Sequence, residues 1–589
     1  MPELMTRIGQ IVGIHTFKYD VYTNKDCRQL YRCGSSSCYQ CPRCGQARSL
    51  NGSCCLLQRI CGSPTLEKLL QYPSRREQPP PGEVHDVYDT EAWAATVQGS
   101  LLSEDARNVV FSFHQDGVQP FKHGRKLSLE PFTVSILNFP PWLRTIPGIG
   151  TFMVGLPKLP PGQDTGALHP FWEPFVDEVN YLYTHGMQTT DAATSYERFT
   201  LRAGVLCGPG GGIMDSRGWP KNNCIQGPGA ISACFCCHNK GFKAPHMAKV
   251  VYPLFHCYLP RDATELRKRC SELNLPSRVS TPSALTVASV LDFTKDAVPP
   301  QKRDIGSTRD ICIRQERSKL ASRYSMGVAA ADGIMGYSPL WNLRPHFAPT
   351  EVVYDFMHCL YGTFNDVLQL VNGSLPATKI DRILKYEREV NRRYQQCTSA
   401  NVPFVMSDAN LNVCFQRLQR LVSGAPTSWR GAKWQFALHK KQHSQPSPNT
   451  HDIHMFVGCI GAFALDGRLQ QPYGGVLMGL LRAFSLVKVK AIAKPGVVSE
   501  FVPDQGEIRK NAIVAICNMV AHFPAWLLDH QWHQIMHILD NLPVHTLAMW
   551  AVERTNRFLS PLIHNRWVPS CARVVAYLLP CGVVPNRTW

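Results

Sequence analysis

The order of regular elements between Val109 and Leu206 constrains the fold of this chain more than any other feature. Val109–Gln115 (VVFSFHQ) is an apolar, partly alternating run that stops at Asp116-Gly117, and it reads as a strand. Pro131–Phe139 and Gly150–Pro157, set apart by Pro- and Gly-containing segments, read as second and third strands. Leu168–Tyr183 then carries Phe171, Phe175, Val179 and Leu182 at helical spacing. Arg198–Leu206 returns to a strand pattern and leads to Asp215.

Three strands, a helix and a fourth strand open an α/β fold with a ribonuclease-H-like mixed sheet. In that fold the first and fourth strands lie side by side, so acids at or just beyond their ends can share metal ions across a long sequence gap. Asp116 is such an acid: a carboxylate at the end of a buried strand, with Gly117 freeing the backbone beside it. On this stretch alone an ordinary Asp-Gly hairpin turn remains the alternative.

The chain has 589 residues, enough for roughly three or four domains. Its formal net charge is +18, spread along the chain, which favours a polyanionic partner, nucleic acid before membrane. The basic run Arg382, Lys385, Arg388, Arg392 and Arg393 reads either as a phosphate-facing surface or as a solvated helix face. The longest apolar stretches, near Met455–Leu465 and Gly475–Ala493, are broken by Gly, Lys and Arg, so no membrane span is expected. The N-terminus lacks the apolar core of an export signal, so the 23 cysteines read as reduced thiols and metal ligands. Cys41 and Cys44, in CPRCG, have the spacing of half a zinc site within a cysteine-rich start. The second ligand pair is open between Cys33 with Cys38 and Cys54 with Cys55.

Against this background DGVQPFKHGRKLSLEPFTVSILNFPPWLR resembles the start of the transposase core of the CACTA (En/Spm-like) DDE transposases. Asp116, Gly117, Pro120, Phe121, Asn138, Phe139, Pro140 and Pro141 carry the likeness. LPPGQDTGALHPFWEPFVDEV and RFTLRAGVLCG resemble that family's next loop, helix and fourth strand. The family's second acid usually lies in D-x-PA; here Asp215 stands in IMDSRGWPKN, after the Gly208–Gly212 interruption. Cys234 and Cys237 match its CxxC pair, Asp355 and His358 its DxxH, and Glu553, Arg554 and Asn556 its FERYN block, with Thr555 replacing the aromatic.

The resemblance implies a DNA transposase acting on element terminal repeats and target DNA in the nucleus. Asp116, Asp215 and Glu553 would hold two Mg2+ or Mn2+ ions for hydrolysis and strand transfer. Zn2+ would sit structurally on Cys234 and Cys237 with Asp355 and His358. The corresponding organisation is a cysteine-rich zinc-ribbon-like module (1–70), a linker and lead-in (71–104), the first part of the core (105–245), a large mostly helical insertion (246–540) and a final helical part with the third acid (541–589). Homo-oligomerisation is left open. The rival reading is a zinc-containing DNA-binding protein, derived from such a transposase, that has lost cleavage.

Overall fold

The computed structural model describes, with short breaks, residues 56–118, 128–252, 302–321, 332–424 and 450–541, and the short strands Tyr19–Val21 and Leu30–Arg32. Its central sheet begins with β1 (Val109–Gln115), buried at every position, which explains why its sequence is apolar rather than cleanly alternating. β2 (Phe132–Ile136) runs antiparallel to β1, with Phe111 opposite Ile136 and Gln115 opposite Phe132. β3 (Thr151–Gly155) continues antiparallel to β2. Asp116-Gly117 does not close a tight hairpin, because the pairing resumes beyond it with Val118 opposite Leu129.

On the other side of β1 one lane is filled twice. β4 (Ala203–Val205) lies parallel to Val109–Phe111, and β5 (Gly212–Met214) lies parallel to Phe113–Gln115. The expected strand Arg198–Leu206 therefore divides. Its first half, Glu197–Leu201, forms a hairpin with Met187–Asp191, and only its second half joins the sheet. Glycine makes the interruption possible. Gly208 and Gly210 have φ of +89° and +91°, and a Cβ on Gly211 would lie 1.9 Å from the Leu206 carbonyl oxygen. The loop swings out and the chain re-enters the lane it left.

α1 (His169–Thr184) covers the sheet with Trp172, Val176 and Val179, spaced to share one face. The Trp172 ring stacks on Phe132 at 4.0 Å and meets Phe113 edge-on at 5.4 Å. Each such buried aromatic contributes roughly 1.5–3 kcal/mol from area alone. Residues 71–104, expected as linker and lead-in, are largely folded onto this unit: the Tyr88 hydroxyl shares its one proton between the carbonyls of Leu137 and Phe139, at 2.7 and 2.8 Å, and Arg144 pairs with Asp86 at 2.8 Å.

α2 (Gly218–Asn223) follows the sheet. Beyond residue 302 the described residues are mostly helical: α3 (Ile305–Ala321), α4 (Phe356–Val371), α5 (Ala377–Val390), α6 (Asp408–Gly424), α7 (Tyr473–Val487), α8 (Gln505–His522) and α9 (His530–Leu539). α7 packs on α8, and α4 on α9. Several links tie this half to the first, among them the following. Ile492–Ala493 pairs with Glu83–Val84, and the Asp355 amide donates to the Met214 carbonyl at 3.1 Å. No helix among the described residues is long and apolar enough to cross a membrane.

Candidate active site and metal centre

The two strand-end acids leave adjacent parallel strands. Gln115 and Met214 are register partners at the ends of the parallel strands β1 and β5. The next residues are Asp116 and Asp215, on backbones about 4.8 Å apart in a ladder of this kind. Both are partly exposed. Asp215 Oδ1 accepts from the amides of Arg217 and Gly218, at 3.1 and 2.5 Å, which turns the chain into α2. A Cβ on Gly218 would lie 3.0 Å from Asp215 Oδ1 and 3.2 Å from Gln115 Oε1, so glycine allows this close approach.

A buried polar chain underlies the pair. Gln115 donates to Glu130 and accepts from Asn222 at 2.8 Å, and Asn222 in turn accepts from the Trp172 indole. Lys221 Nζ stands 3.6 Å from the Glu130 carboxylate. Residues immediately next to Asp116 and shortly after Asp215 are thus joined through side chains that solvent hardly reaches. Buried amides and carboxylates are kept where hydrogen bonds satisfy them.

Asp355 is fully buried and caps α4, accepting from the amides of Met357 and His358. Its Oδ2 also lies 2.5 Å from His358 Nδ1, so it orients that imidazole. Its backbone link to Met214 sets it one residue from Asp215 along β5. Burial pushes the Cys359 thiol well up, and the negative charges of Asp355, Asp529 and Asp215 push it further. Glu553, Cys41 and Cys44 lie outside the described residues. Asp540 ends α9 and pairs with Arg509 at 2.7 Å.

The CxxC pair has different companions from those expected. Cys234, Cys237, His533 and His537 are all buried, and their ligand atoms lie within 4.8 Å of one another. The two sulfurs are 3.5 Å apart, the two Nε2 atoms 3.1 Å, and each sulfur is 3.4 Å from one Nε2. Tetrahedral zinc with ordinary Zn–S and Zn–N lengths needs separations of about 3.8, 3.3 and 3.5 Å. Two thiols and two imidazoles at these separations fit that ion. Asp355 and His358 are not in the group, because their side chains are engaged with each other at the start of α4. The sequence signal for the missing ligands was H-x-x-x-H in HQIMH, which places His533 and His537 on one face of α9.

Supporting groups surround the four. The Asn239 amide donates to Cys237 Sγ at 3.4 Å, and its side chain lies 3.0 Å from His533 Nδ1. The buried Arg303 guanidinium donates twice to the Cys234 carbonyl and pairs with Asp332 at 2.9 Å. Burial raises the Cys234 thiol, but hydrogen bonds from Cys236 and Cys237 and the charges of His533 and His537 outweigh it and hold Cys234 well below the ordinary thiol range. Burial pushes neighbouring His530 down to about 3, so it stays neutral.

No curated protein matches the chain. Residues 82–297, which carry Asp116, Asp215, Cys234 and Cys237, match the sequence model of the transposase family tnp2, and this supports a transposase.

Proposed function

We propose that this chain is a CACTA-like DDE DNA transposase that hydrolyses phosphodiesters at the ends of a mobile element and joins them to target DNA in the nucleus. The observation that carries the reading is the emergence of Asp116 and Asp215 from adjacent parallel strands in register. The lane order β4/β5, β1, β2, β3, with β2 alone reversed relative to its neighbours, supports a ribonuclease-H-like core. Hard carboxylate oxygens at partly exposed strand ends suit Mg2+ or Mn2+ rather than softer ions. When bound, such ions supply charge neutralisation at the phosphate and an activated oxygen nucleophile.

The chain's own residues do the positioning. Asp116 and Asp215 would hold the cations through their carboxylate oxygens. The Gln115–Asn222–Trp172 chain and Glu130 stiffen the strand ends against the cost of gathering negative charge. Glu553 is the proposed third acid. Zn2+ on Cys234, Cys237, His533 and His537 would pin α9 to the segment after Asp215, which fixes a late helix beside the sheet.

A strand-transfer assay with Mg2+ on terminal-repeat DNA tests this. Asp116→Asn and Asp215→Asn should each lower cleavage and joining by at least about 10³-fold, with DNA binding kept. Cleavage unchanged in either variant would reject the assignment of the pair.

A further inference from the structure

A cleft of 790 Å³ is lined in part by Arg217, whose amide donates to Asp215 Oδ1. Arg217, two residues after Asp215, forms one wall, and Asp529 to Gln531, at the start of α9, form another. About one and two turns further along α9 stand His533 and His537 of the Cys/His cluster. The remaining lining includes Gln226, Ile231, Lys243 and Lys249.

We infer that this cleft seats the phosphodiester backbone of the DNA strand that enters the acid pair. The inference rests on the transposase reading above and adds the surface that guides the strand. Three cations face one carboxylate here. Asp529 is already engaged, since it caps α9 through the amides of Gln531 and Trp532 and holds Lys249 at 3.2 Å. Lys249 is held further by Asp366 at 3.5 Å and lies 4.6 Å from the Trp526 ring, so its ammonium is fixed in place. Arg217 and Lys243 are exposed, and neither pairs with a carboxylate among the described residues. Two uncompensated cations on the rim of a cleft attract a polyanion and leave a net positive site.

The backbone of the same wall is open to close approach. Gly229, in the lining, has empty space where a Cβ would stand. Ile231, half exposed at the rim, offers an apolar surface to a sugar or base edge. Phosphate contacts from Arg and Lys position a nucleic acid without reading its sequence, which is what an entry path to a phosphodiester-cutting site requires.

The test uses the full chain and a fluorescent duplex, with affinity measured from about 50 to about 200 mM salt. The double variant Arg217→Ala/Lys243→Ala is compared with Arg382→Ala/Lys385→Ala, which removes two exposed cations from α5. Two lost phosphate contacts reduce the salt slope by about 1.8, so the wild type should lose roughly twelvefold more affinity over that range than the cleft variant. The α5 variant should keep the wild-type slope. Circular dichroism melting of each variant confirms that the fold is intact, and charge reversal with Lys243→Glu should weaken binding further. A wild-type slope in the cleft variant, or an equal loss in the α5 variant, overturns the inference while cleavage by the wild type leaves the transposase reading standing. A wild type that neither binds nor cuts DNA overturns both.

Discussion

Asn222→Ala should destabilise the protein more than any surface change, and the size follows from what it orphans. Asn222 is fully buried and makes three side-chain hydrogen bonds, with Gln115, Gly218 and Trp172. Alanine leaves the Trp172 indole N–H and the Gln115 Oε1 without those partners in a site too tight for solvent. Each orphaned buried group costs about 1–3 kcal/mol, so the loss should be about 2–6 kcal/mol. The measurement is urea unfolding followed by tryptophan fluorescence, with Ser74→Ala, on an exposed hydrogen bond, as the control expected to change stability by less than about 0.5 kcal/mol. Gln115 adjoins Asp116, so Mn2+ affinity should fall with stability, by about 10- to 100-fold. A loss below about 1 kcal/mol with unchanged Mn2+ binding would refute the claim that this chain of side chains braces the acid pair.

Three further outcomes are expected. Cys237→Ala and His537→Ala should each remove one equivalent of zinc per chain, measured by metal analysis, and Asn239→Ala should weaken zinc binding about 10- to 100-fold while keeping the stoichiometry. Burial raises Glu387 to about 8, opposed by the hydrogen bond from the Ala525 amide. The folded state therefore keeps a proton that the unfolded state has released, and stability should fall between about pH 4.5 and pH 8 by up to about 1.4 kcal/mol per unit. Glu387→Gln should flatten that slope in denaturation curves taken across the range. Gly211→Ala sets a Cβ 1.9 Å from the Leu206 carbonyl oxygen, which forces β5 out of its lane and should abolish cleavage while zinc content stays at the wild-type value.

Much of the core was legible because its signals are local. The apolar run of Val109–Gln115 ends at the residue where the observed strand ends, and the helix read as Leu168–Tyr183 is His169–Thr184. The fourth strand was less legible, since Gly208–Gly212 looks like a break when read along the chain. Only three-dimensional pairing shows that the loop leaves and re-enters one lane, bringing Asp215 level with Asp116. The Cys/His cluster was half legible for a related reason. Cys234 and Cys237 announce themselves by spacing, but their partners lie about 300 residues away on α9. The local pattern of Asp355 and His358 is complete without a metal, because the acid caps a helix and holds the imidazole. Residues 71–104 looked like a linker from Pro79–Pro81, yet Asp86 and Tyr88 find their partners, Arg144 and the carbonyls of Leu137 and Phe139, far along the chain.

The most direct measurement is anomalous diffraction from crystals soaked in Mn2+. The expected result is a manganese peak within coordinating distance of both Asp116 and Asp215, lost in Asp215→Asn. Manganese bound elsewhere, with these two carboxylates bare at saturating ion, would contradict a shared metal site.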